Sequence, residues 1–244
     1  TSWSAIAIEV AVPEELAPGA ADVVVEVEGQ ASAAFPFEVS EDAPSIYSVV
    51  PNAQVVGATV EVRGSNLGAA RDGSVVRFGT VAVVDYVAWA ADSVQVVVPI
   101  GATSDGVTVT VDEVTTNSLL FFVVEPTLSS LQAGIFDRRC TSGFCHGSAD
   151  NVPAPAVDCP PDATTGALDL RPGMSFDALV GVDSCEAPGT PRVTPGDRAA
   201  SYLYQKLSQS TPSAGVQMPM NGTPLATELQ EAVGTWIDEG AASD

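Results

Sequence analysis

Four cysteines and a single histidine carry most of the reactive chemistry available to this chain, and all five lie between Cys140 and Cys185. The run Cys140-Thr141-Ser142-Gly143-Phe144-Cys145-His146-Gly147 places the imidazole directly after the second thiol. That order is what covalent haem attachment requires. Both thiols add to porphyrin vinyl groups, and the adjacent imidazole reaches the iron from the same side. The familiar spacing has two residues between the cysteines; here there are four, with Gly143 available for the tighter path of a longer loop. The residues therefore predict one covalent haem c, anchored by Cys140 and Cys145, with His146 as proximal ligand. Blander readings stand beside it. His146 could be an ordinary surface histidine, and Cys140 and Cys145 could form a short disulfide. Cys140, Cys145, His146 and Cys159 are legal zinc ligands, although that set strands Cys185 and suits a reducing compartment.

Helical signals surround this box. Residues 129–138 begin with serines able to cap and continue as an amphipathic segment leading into Cys140. Asp197–Leu207 puts Ala200, Leu203, Tyr204 and Leu207 on one helical face. Thr227–Glu239 opens on a Thr227/Gln230 capping-box pattern and repeats apolar residues at Leu229, Val233, Trp236 and Ile237.

The first 139 residues hold no cysteine or histidine, and their pattern is different. Short runs rich in valine alternate with Gly, Pro, Asp and Asn clusters: Val23–Val27, Thr59–Arg63, Ser74–Phe78, Val94–Val98 and Val107–Val111. Period-2 alternation of this kind marks half-buried strands, and their number and spacing predict an antiparallel sandwich of immunoglobulin type. An internal repeat runs through them. Trp3 precedes Pro13 as Trp89 precedes Pro99, and each is followed by a glycine-containing loop, a valine strand and an aromatic strand (Phe35–Val39 and Phe121–Val124).

Thirty-one acidic against nine basic residues give a net charge of −22 over 244 residues, and Lys206 is the one lysine. Such a surface repels phosphate backbones and anionic membranes, so nucleic acid is not an expected partner. Apolar residues at 45% with only 16% charged suffice for a core. No apolar run is long enough to span a bilayer as a helix.

The segment Pro44–Pro51, with the glycines from Gly57 to Gly68, resembles the opening of an IPT/TIG immunoglobulin-like domain. The resemblance implies one complete domain over residues 43–126 and only the second half of a repeat over residues 1–42. Lacking partner strands, that half-repeat is expected to be completed by more chain upstream or by another polypeptide, and a homopolymer formed by strand complementation of residues 1–42 is one outcome.

Residues 127–244 resemble an exported bacterial c-type cytochrome domain. The resemblance rests on the leading helix, the Cys-x4-Cys-His-Gly box, Leu168-Asp169-Leu170, Phe176–Val182, Val193–Asp197 with Ser201–Leu207, Met218-Pro219, and the final Trp236–Ala241 run. It implies an all-α haem domain in which a late Met-Pro supplies the second axial ligand: Met218, with Met220 as fallback. The blander reading of both methionines is core filling. A His/Met pair fills both axial sites, which suits electron transfer and leaves no position for oxygen or peroxide. Asn221-Gly222-Thr223 fits a glycosylation sequon but reads better as a turn. With Cys140 and Cys145 on haem, Cys159 and Cys185 remain as a disulfide pair closing about 26 residues, worth roughly 3–4 kcal/mol. A disulfide and a haem box both point outside the cytoplasm, to the periplasm or cell surface.

The sequence thus predicts a multidomain chain, a β-sandwich stalk followed by an α-helical monohaem cytochrome. It would be an electron carrier, not an enzyme, and would serve a basic redox partner or an extracellular electron acceptor. Two alternatives are a structural or filament-forming surface protein bearing a haem domain, and a haem enzyme or gas sensor with an open axial position.

Overall fold

The computed structural model describes residues 2–3, 8–10, 16–17, 19–39, 43–141, 145–147, 168–220 and 222–244. They fall into two units, Thr1–Ala43 and Pro44–Asp244.

The first unit is a set of strand pairs: β1 (Ser2–Trp3), β2 (Ile8–Glu9), β3 (Gly19–Val23), β4 (Glu26–Val27), β5 (Gln30–Ala31) and β6 (Phe35–Val39). β1 pairs with β2, β3 with β6 and β4 with β5, all antiparallel. The expected strand Val23–Val27 is interrupted, because Val25 turns its backbone to Ser32: Val25 N–H donates to Ser32 Oγ at 3.0 Å, and Ser32 N–H returns to Val25 O at 2.8 Å. None of the described residues of this unit is fully buried, and Phe35 is 72% exposed.

The second unit opens with a two-sheet sandwich. Its strands are β7 (Ser45–Val50), β8 (Ala53–Gln54), β9 (Thr59–Ser65), β10 (Val75–Phe78), β11 (Val81–Ala82), β12 (Tyr86–Trp89), β13 (Ser93–Val97), β14 (Asp105–Val111), β15 (Val114–Thr115) and β16 (Leu119–Val123). One sheet runs β12-β13-β9-β7; the other runs β11-β10-β14-β16-β8, with β15 on β14. Alternation decides which residues enter. In β9, Val60 and Val62 are buried while Thr59 and Arg63 face out. The inward valines close on Phe78 and Phe121, whose rings meet edge-on at 4.9 Å. Trp89 ends its strand by donating from Nε1 to Leu67 O and Gly68 O, at 3.0 and 3.1 Å.

The repeat seen in the sequence is a repeat of register. Trp3 pairs with Ile8 and Ser2 with Glu9; 86 residues on, Trp89 pairs with Val94 and Ala88 with Gln95. The β3–β6 pair, like β14–β16, is antiparallel, but its register differs: Val23 pairs with Phe35, whereas Phe121 pairs with Asp105.

Beyond Val123 the chain becomes helical. Thr127 caps α1 (Leu128–Leu131), accepting from Ser130 N–H. The expected serine cap is displaced, because Ser130 Oγ is engaged with Glu125 N–H at 2.8 Å and Val123 O at 3.2 Å. α1 continues without a break into wider π-type turns over Gln132–Cys140. After these come α2 (Ser175–Leu179), α3 (Tyr202–Ser208) and α4 (Thr227–Asp238). α3 is shorter than the expected Asp197–Leu207 helix. Asp197 Oδ1 captures Ala200 N–H at 3.0 Å, a local turn that delays helix entry to Tyr202 and leaves Ala200 outside it. At α4, Ala226 holds the cap position, and Gln230 Nε2 donates to Leu225 O at 2.8 Å instead of closing the expected capping box with Thr227. Across both halves the described structure is mostly β, with helix confined to the C-terminal part.

The helices and the sandwich share a core. Ala53 and Val124 pack with Leu131, Ile135, Phe136, Val233, Trp236 and Ile237 in one buried cluster. Gly134 makes this approach possible, since a Cβ there would sit 2.5 Å from Val124 Cγ2. Next to it the Arg138 guanidinium lies 4.3 Å over the Phe122 ring.

Candidate functional site

The π-type turns deliver Cys140 to the edge of the shared core and stop there, the last turn closing with Thr141 N–H on Phe136 O at 3.1 Å. The chain then doubles back: His146 N–H donates to Cys140 O at 2.8 Å, which joins the start and end of the box. Gly147 is required at this crossing, because a Cβ would overlap Thr141 O and lie 2.8 Å from Thr141 C. Leu170 N–H donates to His146 O at 2.9 Å, and Leu168 O lies 3.2 Å from His146 Nδ1. A carbonyl only accepts, so Nδ1 carries the proton and the lone pair of Nε2 is left for a ligand. Among the described residues Nε2 has no hydrogen-bond partner.

The segment that holds the histidine is itself held. Gln132 Nε2 donates to Leu170 O at 2.7 Å and Ser175 Oγ donates to Gln132 Oε1 at 2.6 Å. Arg171 grips Asp169 in an ion pair of 2.6 Å, and that hydrogen bonding keeps the Asp169 carboxyl below its ordinary value. Burial pushes the His146 pKa down; the nearby charges of Arg192 and Lys206 add to this, while Leu168 O and Glu186 oppose it. The result is a neutral imidazole at pH 7, the form that binds metal.

Cys140 and Cys145 are both free thiols, so the short disulfide between them is not formed. Cys140 is half-buried and its thiol is pushed up to about 12, mainly by burial and then by Cys145. Cys145 is exposed. Cys185 is disulfide-bonded; its expected partner Cys159 lies outside the described residues, as do Gly143 and Asn221. Among the described residues no group of three or more His, Cys, Asp or Glu could hold a metal ion, and the zinc set needs Cys159.

Met218, joined to Pro219 by a cis peptide, packs on the same core as Cys140, Leu168, Phe176 and Tyr204. Met220 is 57% exposed. A cleft of about 350 Å³ runs along this loop, lined by Val216, Gln217, Pro219, Met220, Gly222 and Pro224. Three further residues lie near the site, Glu186, Tyr202 and Lys206, and the sequence alone assigned none of them a role there. The available signal was Lys206, the one lysine of a chain with net charge −22, set on the apolar flank of a helix.

Against known proteins, residues 44–123 match the IPT/TIG domain family. This segment is an IPT/TIG domain. No curated protein is similar to the chain. Among solved structures, a gamma-CGTase from the alkalophilic Bacillus clarkii is 25% identical with a TM-score of 0.32, covering 39% of this chain and 14% of that one. An auxiliary nutrient binding protein from Bacteroides thetaiotaomicron is 21% identical, with a TM-score of 0.31 and coverage of 34% and 21%. SGBP-B from a complex xyloglucan utilization locus in Bacteroides uniformis is 23% identical, with a TM-score of 0.29 and coverage of 48% and 32%. The chain spans a third or less of the length of each of these three. The TIG domain ends with β16 at Val123, and the chain runs from there through residues 124–127 into α1 and on to the cysteine box. The domain contributes none of Cys140, Cys145, His146 or Met218.

Proposed function

We propose that residues 127–244 form a monohaem c-type cytochrome domain carried on the TIG domain, and that the chain is an exported one-electron carrier. The observation that carries this reading is the state of the box: two unoxidised thiols beside an imidazole whose Nδ1 is tied to Leu168 O, leaving Nε2 for iron. Cys140 and Cys145 would each add S–H across a vinyl group, sulfur to one carbon and hydrogen to the other, with no change of oxidation state. His146 Nε2 would be the proximal ligand, and Met218 the distal one, favoured over Met220 by its place on the core. Haem c bound there supplies a one-electron ferrous/ferric couple.

The protein's own contribution is orientation and electrostatics. Leu168 O holds the imidazole, and Gln132 with Ser175 anchors the Leu168–Leu170 segment behind it, against the core from Leu131 to Ile237. The net charge of −22 favours basic partner proteins and speeds their encounter at low salt. Cys185, already in a disulfide, fits a chain that works outside the cytoplasm. No described helix is long and apolar enough to cross a membrane.

The test is optical. The reduced native protein should show haem absorbance that carbon monoxide leaves unchanged, and Cys140→Ala or Cys145→Ala should weaken covalent retention of the chromophore. A large shift with carbon monoxide would point instead to an open axial site and a gas-binding or catalytic role. A second reading, a filament-forming or adhesive surface protein, draws on the exposed Phe35 and on the first unit having no fully buried residue among those described. Size analysis of the native protein separates the two.

A further inference from the structure

Met218 reaches the core through a loop that has no secondary structure of its own, from Gln209 to Gln217, yet its end is fastened by three hydrogen bonds. Met218 N–H donates to Lys206 O at 2.7 Å. Gln217 Nε2 donates to Leu207 O at 3.0 Å. Both carbonyls belong to the last turn of α3 and would otherwise lack partners. The Tyr202 hydroxyl lies 2.7 Å from Ala214 O and 2.8 Å from Glu186 Oε2. Gly215, at φ +65°, crosses directly over the Lys206–Glu186 ion pair: a Cβ there would overlap Glu186 Oε1 and come within 2.6 Å of Lys206 Nζ.

The ion pair is unusual for this chain. Lys206 is buried, with its side chain 8% exposed, and Nζ meets Glu186 Oε2 at 2.8 Å. A lysine in so acidic a protein has many exposed carboxylates to choose from. This one is spent inside, beneath the loop that ends in Met218. The Glu186 side chain is 36% exposed, so the pair adds little net stability, but losing Glu186 would strand the buried lysine charge. Such pairs are best understood by what they hold in place.

We propose that Lys206 and Glu186 are positioning residues for Met218: with Tyr202 they clasp residues 214–218 to the end of α3 and fix where the Met218 thioether stands. The inference rests on the reading of Met218 as axial ligand, and it goes beyond it by naming what keeps that ligand in reach. A weak iron–thioether bond on an unstructured loop depends on pre-organisation. Opening the clasp releases the sulfur while leaving the haem attached, because Cys140, Cys145 and His146 stand on a different segment.

The experiment uses the full-length haem-bearing protein with Glu186→Gln, Lys206→Met and Met218→Ala, and with Arg63→Gln in the TIG domain as a control remote from the loop. Three signals are read: far-ultraviolet circular dichroism for folding, the long-wavelength ferric band of methionine-bound haem, and the ferrous Soret response to carbon monoxide. The expected result is that Glu186→Gln and Lys206→Met keep the haem and fold but lose the ferric band and gain carbon monoxide binding, matching Met218→Ala. Glu186→Gln preserves shape and guards against a Lys206→Met chain that does not fold. If both clasp variants retain the band and ignore the gas while Met218→Ala does not, the clasp is overturned and the ligand reading stands. If Met218→Ala is also silent, or the native protein carries no haem, the ligand reading itself falls and takes the clasp with it.

Discussion

Replacing Ile135 by Ala tests whether the TIG domain and the helical segment stand or fall together. Ile135 is 0% exposed and sits in the cluster that joins Ala53 and Val124 of the sandwich side to Trp236 and Ile237 of α4. Truncating a fully buried isoleucine costs about 2–5 kcal/mol, lost transfer energy plus the cavity left behind. Taking about 3 kcal/mol, and about 2–4 °C per kcal/mol for a unit of this size, the melting temperature should fall by about 6–12 °C. Where that loss appears is the informative part. If Pro44–Asp244 is one cooperative unit, amide exchange through global opening should accelerate in β9 and in α4 by the same factor, on the order of 10². Hydrogen-exchange mass spectrometry resolves the two elements separately. Acceleration in α4 with unchanged protection in β9 would show that the halves unfold independently, and would refute the shared core as an energetic link.

Gly134→Ala should gain about 1 kcal/mol of helix propensity but lose about 1–3 kcal/mol to overpacking against Val124, a net destabilisation seen in urea denaturation; a stabilised variant would refute the close approach. In chain made without haem attachment, iodoacetamide at pH 8 should label exposed Cys145 and spare Cys140, whose thiol at about 12 leaves a thiolate fraction of about 10⁻⁴. Peptide mapping reads this, and equal labelling would contradict the burial of Cys140. Burial alone would raise the Glu186 pKa, but hydrogen bonds from Lys206 and Tyr202 outweigh it and hold the carboxyl below its ordinary value of 4.5. Its stabilisation is therefore complete above the unfolded value and lost as pH falls through the lower folded value. Glu186→Gln should flatten that acid loss in pH-dependent melting, and an unchanged slope would show that Glu186 is not responsible.

Strand content was legible wherever valines alternate, because one buried face per strand writes itself directly into the sequence. Thr59–Arg63 and Val107–Val111 fall inside β9 and β14 for that reason. The misreadings share a cause: a polar side chain bonding the local backbone. Ser32 interrupts the Val23–Val27 strand, Asp197 delays α3, and Gln230 turns to Leu225 in place of Thr227. At the site, the order Cys-Cys-His was readable as chemistry. Its support was not. Leu168 O on His146, Gln132 on Leu170 and Glu186 on Lys206 join residues 20 to 38 positions apart and leave no periodic trace. The packing of Met218 on the core and the 57% exposure of Met220 likewise leave no mark in the sequence, where the two thioethers stand two residues apart.

The most direct measurement is the intact mass of the native protein, taken under denaturing conditions with its visible spectrum. Covalent attachment through Cys140 and Cys145 predicts a mass above that of the polypeptide by one haem, with Soret absorbance travelling with the denatured chain. A mass equal to the bare polypeptide, in a colourless protein with two alkylatable thiols at Cys140 and Cys145, would contradict it.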